Sequence, residues 1–462
     1  MAKDKLTQYD STASNNTDVG GISVAEGMLP SGVNNAIREQ MSHLADFAAG
    51  TSGVDVLKLQ DDTDTNSIKL QAPASVTADT TFTLPDGDGS ADQVLKTDGS
   101  GQLGWADRHA NPSLIINGAM KVAQRGTTST NVSGITTVDR WHTQFAGGGI
   151  TDTQESLSSS DTPYSLGFRN YLRMNNDTST SGAGDVRQIY QIIEAQNIAN
   201  SGWNYTSASS YITLSLWVRT SLAGKYRFGL TSDDGTAQMF NFTETLVANT
   251  WTKITKTIPG NSNLTFNNDN GSGLLVVASL WFGTNYTDAT TVLDAWTAND
   301  ATKNAPTDIA DWGGTSNATF DITGVKLEVG STATDFVHRS YGEELALCQR
   351  YLHRIGGSAY TRTAAGFSYA ASAHNTPIPV PVAMRAIPSL TTSDLTGGST
   401  FVVYHSGGSL AAVSAIVIET AGSHQNSVLS INSTASGLTA GNVGILVTNN
   451  NSDAFLQFDA EL

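Results

Sequence analysis

The chain has 462 residues, about three domains' worth at roughly 150 residues each, with 25 Lys+Arg against 42 Asp+Glu and a formal charge of −17. That charge repels a phosphate backbone or an anionic bilayer at long range and excludes nucleic acid as the expected partner. Charged residues amount to only 15% while glycine numbers 44, which suits β-structure with many turns, and the lone cysteine, Cys348, excludes an intrachain disulfide, leaving apolar burial to hold the fold.

Residues 1–47 contain no cationic stretch followed by an apolar core, and no run of about 18 apolar residues occurs, so neither secretion nor membrane insertion is expected. A polar arm runs from Lys3 to about Gly32. After Pro30 and Ser31 the apolar positions Val33, Ile37, Met41, Leu44 and Ala48 recur at helical spacing, and Gly50 marks the stop. One amphipathic helix cannot bury its own stripe, so these residues are expected to meet another chain. Residues 51–108 change to period two, with Val54, Val56, Ile68, Leu70, Ala72, Phe82 and Leu84 in short strands separated by Asp/Gly turns. Leu57-Lys58-Leu59-Gln60 is echoed by Ile68-Lys69-Leu70-Gln71, which predicts stacked strand-turn units completed by sister chains.

Residues 109–338 hold seven of the eight tryptophans and therefore the largest predicted core. Strand-like runs at Tyr211–Arg219, Lys225–Leu230, Leu274–Phe282 and Phe320–Val329 read as an antiparallel sandwich. Over 339–355 helix returns, with Ser340 and Glu343 at capping-box spacing. Leu345, Cys348, Leu352 and Ile355 step by three, four and three, either a short coiled-coil seam or a helix lying on the sandwich. Residues 356–462 contain seven charged side chains and no lysine. Their β-runs predict a tip whose exposed strand edges need cover from sister chains.

Four stretches resemble tail fibre proteins of tailed bacteriophages, especially of short-tailed phages of marine bacteria. They are Ile22–Gly27 with Pro30–Arg38, which resembles the tail-docking segment; Ile68–Ala72 with Phe82–Pro85 and Gln93–Leu95 and Asp98–Gly101, similar to a shaft repeat; Asn117–Met120 with Gln124–Gly126 and Asp139–Trp141, similar to the opening of a carbohydrate-module-like sandwich; and Tyr341–Tyr351, the most specific. The resemblance implies a homotrimer in the virion tail, assembled in the host cytoplasm, docked on a tube, nozzle or adaptor protein through residues 1–50 and touching host polysaccharide or an outer-membrane receptor at the other end. The expected fold is mainly β and elongated: attachment segment 1–50, β-repeat shaft 51–108, jelly-roll-like sandwich 109–338, helical neck 339–355 and receptor-binding tip 356–462.

Chemistry-bearing patterns are sparse. Gly99, Gly101 and Gly104 match G-x-G-x-x-G without a following apolar helix, so a turn is expected rather than a nucleotide site. Asp62, Asp64 and Asn66 begin like a calcium loop, but Ser67 and Pro73 stand where Gly and Glu are needed. No zinc, Walker or nucleophile-elbow signature occurs, and the eight histidines are dispersed. No cofactor is expected beyond a structural calcium at Asp321, which lies in a strand like those supplying oxygen ligands in related sugar-binding sandwiches. On Tyr211–Arg219, alternation puts Ile212, Leu214, Leu216 and Val218 on one face and Tyr211, Thr213, Ser215, Trp217 and Arg219 on the other. Tyr211, Trp217 and Arg219 suit a pyranose ring and its hydroxyls, or the packing of a second layer. At the tip, the loop from Leu395 to Phe401 and Asn449-Asn450-Asn451 are polar candidates. The expected function is a non-enzymatic receptor-binding fibre, the alternative a tailspike depolymerase using paired carboxylates.

Overall fold

The computed structural model describes residues 8–10, 12–25, 27–49, 56–60, 67–71, 75, 78, 81–89, 93–107, 112–395, 400–405, 409–419 and 428–462. Two compact units divide the chain, Met1–Ala106 and Asp107–Leu462.

In the first unit a helix spans Pro30–Ala48, opened by proline at its first position, where the missing N–H costs nothing. It lies on a two-stranded hairpin, β1 (Asp18–Val19) and β2 (Ile22–Ser23). Ala36 and His43 are buried, and Tyr9 Oη meets His43 Nδ1 at 2.8 Å. Val33, Ile37, Met41 and Leu44 are 43–63% exposed, and Val33 and Ile37 border a groove they share with Tyr9, Val19 and Val24. Strands β3 (Val56–Gln60) and β4 (Ser67–Gln71) pair antiparallel, with Leu57 opposite Leu70 and Leu59 opposite Ile68. The echoing segments are thus the two arms of one hairpin, not successive units of a stack, because antiparallel pairing brings two similar strands together directly. Val54, Ala72 and the Asp62–Asn66 run lie outside the described residues. Phe82 and Leu84 are exposed and flank a single bridge, Thr83 to Gln102, instead of a strand. A second hairpin joins β5 (Gln93–Thr97) to β6 (Leu103–Asp107). Its turn is the glycine motif: Gly99 and Gly101 take positive φ, and Asp98 Oδ1 accepts from the Ser100 and Gln102 amides.

The second unit opens with the sandwich. In chain order its strands are β7 (Thr128–Thr130), β8 (His142–Ala146), β9 (Gly149–Ser156), β10 (Asn170–Thr178), β11 (Val186–Glu194), β12 (Tyr211–Thr220), β13 (Gly224–Ser232), β14 (Gln238–Leu246), β15 (Thr252–Pro259), β16 (Ser272–Phe282), β17 (Trp296–Ala298) and β18 (Thr319–Val329). One sheet runs β15-β12-β18-β10-β9-β7, the other β17-β14-β13-β16-β11-β8. Between them lie Trp141, Trp203, Trp281, Trp296 and Trp312 with Ile212, Leu214, Leu216, Val218, Phe228, Phe240 and Phe320. Fully burying a large apolar side chain contributes about 1.5–3 kcal/mol each, so this is a self-sufficient core.

The helix expected through Ile355 ends at Gln349, and Leu352–Gly356 forms strand β19. Ser340 and Glu343 do make the capping box. Cys348 and Leu352 are fully buried within the unit, and Ile355 packs on the tip's own core. The coiled-coil seam is therefore corrected: the helix stops before its last two positions, and Cys348, Leu352 and Ile355 serve intrachain packing. The tip consists of a three-stranded sheet, β19, β22 (Ser389–Thr392) and β27 (Phe455–Asp459), and a closed barrel. The barrel strands are β20 (Arg362–Ala370), β21 (Ala373–Pro379), β23 (Phe401–His405), β24 (Ser409–Ile418), β25 (Val428–Ala435) and β26 (Val443–Thr448), in the order β20-β21-β25-β24-β23-β26. Closure pairs both sides of each of these six strands, so the expected open edges are absent from the barrel.

The motif at Asn117 and the Tyr341–Tyr351 motif meet at one buried junction. Asn117, at φ 57°, accepts the Lys121 and Val122 amides on Oδ1 and donates Nδ2 to the Val122 and Asp139 carbonyls, while its own N–H donates to Glu344 of the neck helix at 2.6 Å. Arg125 pairs with Asp459, and Arg140 pairs with Glu461 and lies 3.5 Å from the Tyr351 ring centroid. Glu194 accepts from Arg350 and Tyr351. Burial alone would raise Glu194, but these bonds and one from Gln196 hold its carboxyl below the ordinary range. The junction fixes neck and tip to the sandwich through buried ion pairs that join residues of both.

Candidate functional site

Strand β12 alternates as expected: Ile212, Leu214, Leu216 and Val218 enter the core, and Tyr211, Thr213, Ser215, Trp217 and Arg219 take the outer face of their sheet. The structure separates the three candidates. Tyr211 sits at the strand's start, about 20 Å along the strand from Trp217 at 3.3 Å per residue. Arg219 is committed elsewhere, donating from Nε to Asp321 Oδ2 at 2.8 Å and from Nη1 to Asp161 Oδ1 at 2.9 Å. It also lies 4.7 Å from the Trp251 ring centroid, and Trp251 Nε1 donates to the same Asp161 oxygen at 3.0 Å. Asp321 receives Arg173 as well, Nε to Oδ1 at 2.7 Å and Nη2 to Oδ2 at 3.0 Å. Two guanidinium groups already neutralise this buried carboxylate, and a calcium ion there would have to displace both. Among the described residues no cluster of three acidic, histidine or cysteine side chains could hold a metal.

Trp217 is different. It lines an open cleft of about 260 Å³ with Leu166, Phe168, Ser215, Lys253, Gly324, Thr334, Asp335 and Phe336. A register shift between Ser215 and Trp217 marks a bulge against β18, and bulges re-aim side chains. Gly324 supplies that bulge at φ 62°; a Cβ there would sit 2.8 Å from the Phe168 ring and 3.1 Å from Trp217 Cδ1. Glycine therefore preserves both the backbone turn and the space between the two rings. The wall is aromatic: Phe168 and Phe336 ring centroids lie 4.9 Å apart, each about 5 Å from His338, whose Nε2 meets the Leu166 carbonyl at 2.8 Å. At the rim Lys253, directly opposite Trp217 on β15, and Asp335 are exposed. A single sugar ring matches this volume, with an indole face for its apolar side and an ammonium, a carboxylate and the Ser215 hydroxyl for its hydroxyl groups.

Sequence reasoning found Trp217 but not its partners. Lys253 could have been found only by knowing the β12–β15 register, and Thr334, Asp335 and Phe336 follow β18 in a segment without periodicity. Of the tip candidates, residues 396–399 lie outside the described residues. Asn449 of the other loop donates to the Thr400 carbonyl at 2.8 Å, so the ends of both loops adjoin.

No protein-family model matches the chain, and no curated protein sequence matches it. Among solved structures it is similar to the enzymatically active domain of tailspike protein 4 of bacteriophage CBA120, at 9% identity and TM-score 0.26. That match covers 47% of this chain but 21% of that one. It is also similar to the CBM22-1 xylan-binding domain from Paenibacillus barcinonensis, at 12% identity, TM-score 0.24 and 48% and 98% coverage. A Bacteroides thetaiotaomicron protein assigned as sugar-binding matches at 13% identity, TM-score 0.26 and 47% and 100% coverage. The residue roles argued for this chain rest on its own geometry.

Proposed function

We propose that the chain is a virion adhesin of the tail-fibre type, a homotrimer attached to the tail through residues 1–50 and binding host surface polysaccharide, or a glycan-bearing outer-membrane receptor, without cleaving it. The observation that carries the binding reading is the Trp217 cleft. The indole ring takes the apolar face of a pyranose, Lys253 donates to its hydroxyls, and Asp335 accepts from them. Asp335 is the one carboxylate among the residues lining the cleft, whereas glycoside hydrolysis by acid–base chemistry uses two; this favours binding over turnover. The exposed stripe Val33, Ile37, Met41 and Leu44 supports the attachment role, since an uncovered apolar helix face calls for a protein partner. Copies held together give weak single sites a high effective concentration and firm adsorption.

Affinity electrophoresis in gels containing host surface polysaccharide tests the reading. Wild-type protein is expected to be retarded, Trp217→Ala to lose ~10-fold or more in affinity, and Arg219→Lys to keep its retardation, with no new reducing ends in any lane. Equal retardation of wild type and Trp217→Ala would overturn the site, and new reducing ends would restore the depolymerase reading.

A further inference from the structure

The tip barrel turns one apolar set inward, including Ile378, Val403, Val413, Ile431 and Leu446, and a second apolar set outward. Register places the outward residues side by side. Phe367 on β20 is opposite Val443 on β26, Ile445 is opposite Tyr404 on β23, and Tyr404 is opposite Leu410 on β24. Val443 and Ile445, two apart, share a face, and the Tyr369 ring lies 6.5 Å from that of Phe367. Phe367, Tyr369, Tyr404, Leu410 and Val443 are 48–65% exposed. An uncharged apolar stripe therefore crosses four adjacent strands.

We propose that this stripe is the contact surface between the tips of neighbouring copies of this chain, an inference that rests on the homomeric assembly put forward above. Its area fits. At roughly half exposure, and with about 150–250 Å² for a whole aromatic side chain and somewhat less for Leu and Val, the five exposed residues offer on the order of 500 Å². A standard interface covers about 800 Å² per partner, and homomeric ones are about 65% apolar, the same amount. Charge fits as well. Copies around a rotation axis bring like groups together near it, so a charge there would face its own kind, and this stripe has none. A glycan would find only the hydroxyls of Tyr369 and Tyr404 to bond. An anionic bilayer would be repelled, since residues 356–462 hold two arginines and no lysine against five carboxylates. With every barrel strand paired on both sides, the barrel itself can meet a copy only through its faces.

Full-length Val443→Cys, treated in dilute solution with a short bis-maleimide, tests this; native Cys348 is buried and stays silent. The control is Val417→Cys, also outward on β24 and 56% exposed but seven residues, about 23 Å, from Leu410. Val443→Cys is expected to give covalent oligomers in most chains and Val417→Cys none. Adding Leu410→Glu or Tyr404→Ser to Val443→Cys should abolish cross-linking while the chain keeps a cooperative unfolding transition, lowered only by the lost contact between copies. Cross-linking equal at the two positions, or surviving both added substitutions, would overturn the inference. Mass by light scattering separates the two readings: an oligomer that fails to cross-link through Val443→Cys overturns the tip contact alone, and a monomer overturns the assembly too.

Discussion

The sandwich and the tip barrel are both antiparallel and both close on a core, yet they differ in what they do with outward side chains. On β12 and its neighbours the outer face is filled by the chain itself: Arg173, Arg219, Asp161 and Asp321 neutralise one another beneath Tyr171 and Trp251, leaving the Trp217 cleft as the opening. On β20, β26, β23 and β24 the outer face is left apolar and uncovered. A region that completes itself can present a shaped site, whereas one that does not is shaped to meet another surface. Inner-face alternation alone would not distinguish the two, since both sheets obey it.

The comparison can be broken most forcefully at the junction, where completeness is greatest. Gly118 has no room for a side chain, because a Cβ would lie 2.0 Å from the Val325 carbonyl oxygen. Gly118→Ala is expected to cost about 3 kcal/mol or more, read as a large fall in the sandwich's unfolding midpoint. An unchanged midpoint would mean that the junction is loose. Glu194→Gln comes next. It removes the charge to which Arg350 donates at 2.7 and 2.8 Å and Tyr351 at 2.5 Å, at a cost of about 2–3 kcal/mol. Proteolysis should then reach the neck before the sandwich opens.

The pH dependence sharpens the contrast, because the two regions bury groups of opposite sign. Burial pushes Asp152, between the sandwich sheets, up to about 7 from the ordinary 3.8, with a bond from Thr143 and the charge of Asp177 as lesser influences. Folded Asp152 keeps a proton that the unfolded chain has lost, so the sandwich loses stability as pH rises from about 4 to 7. Asp152→Asn removes that slope, a difference on the order of 2–4 kcal/mol across the window. His374, inside the barrel with Nδ1 3.2 Å from Ser368 Oγ, is held below its ordinary 6.5 by burial and by His405. It stays neutral in the fold while the unfolded chain takes up a proton, so the barrel loses stability as pH falls below about 6.5. His374→Asn flattens that limb. Calorimetry at about pH 4.5 and 7.5 should show the two variants affecting opposite ends of the range. A common response would refute the assignment.

Much of the sandwich was legible because its signals are local. Tyr211–Arg219 alternates strictly, tryptophans concentrate in one block, and Ser340 with Glu343 caps a helix at fixed spacing. What was hidden depends on register and tertiary contact. The three-four-three rhythm of Leu345, Cys348, Leu352 and Ile355 looked helical throughout, but pairing of β19 with β27 overrode it after Gln349. The echo at Leu57 and Ile68 suggested repetition and turned out to be a hairpin. Nothing local shows that Arg219 and Asp321 neutralise each other across strands β12 and β18, or that Lys253, Asp335 and Phe336 gather around Trp217.

A crystal of the full chain soaked with an oligosaccharide cut from the polysaccharide that retards it addresses the cleft directly. A pyranose ring stacked on Trp217 at about 4 Å, with hydroxyls in reach of Lys253 and Asp335, is the predicted result. Sugar bound at another surface with the Trp217 cleft left vacant would contradict it.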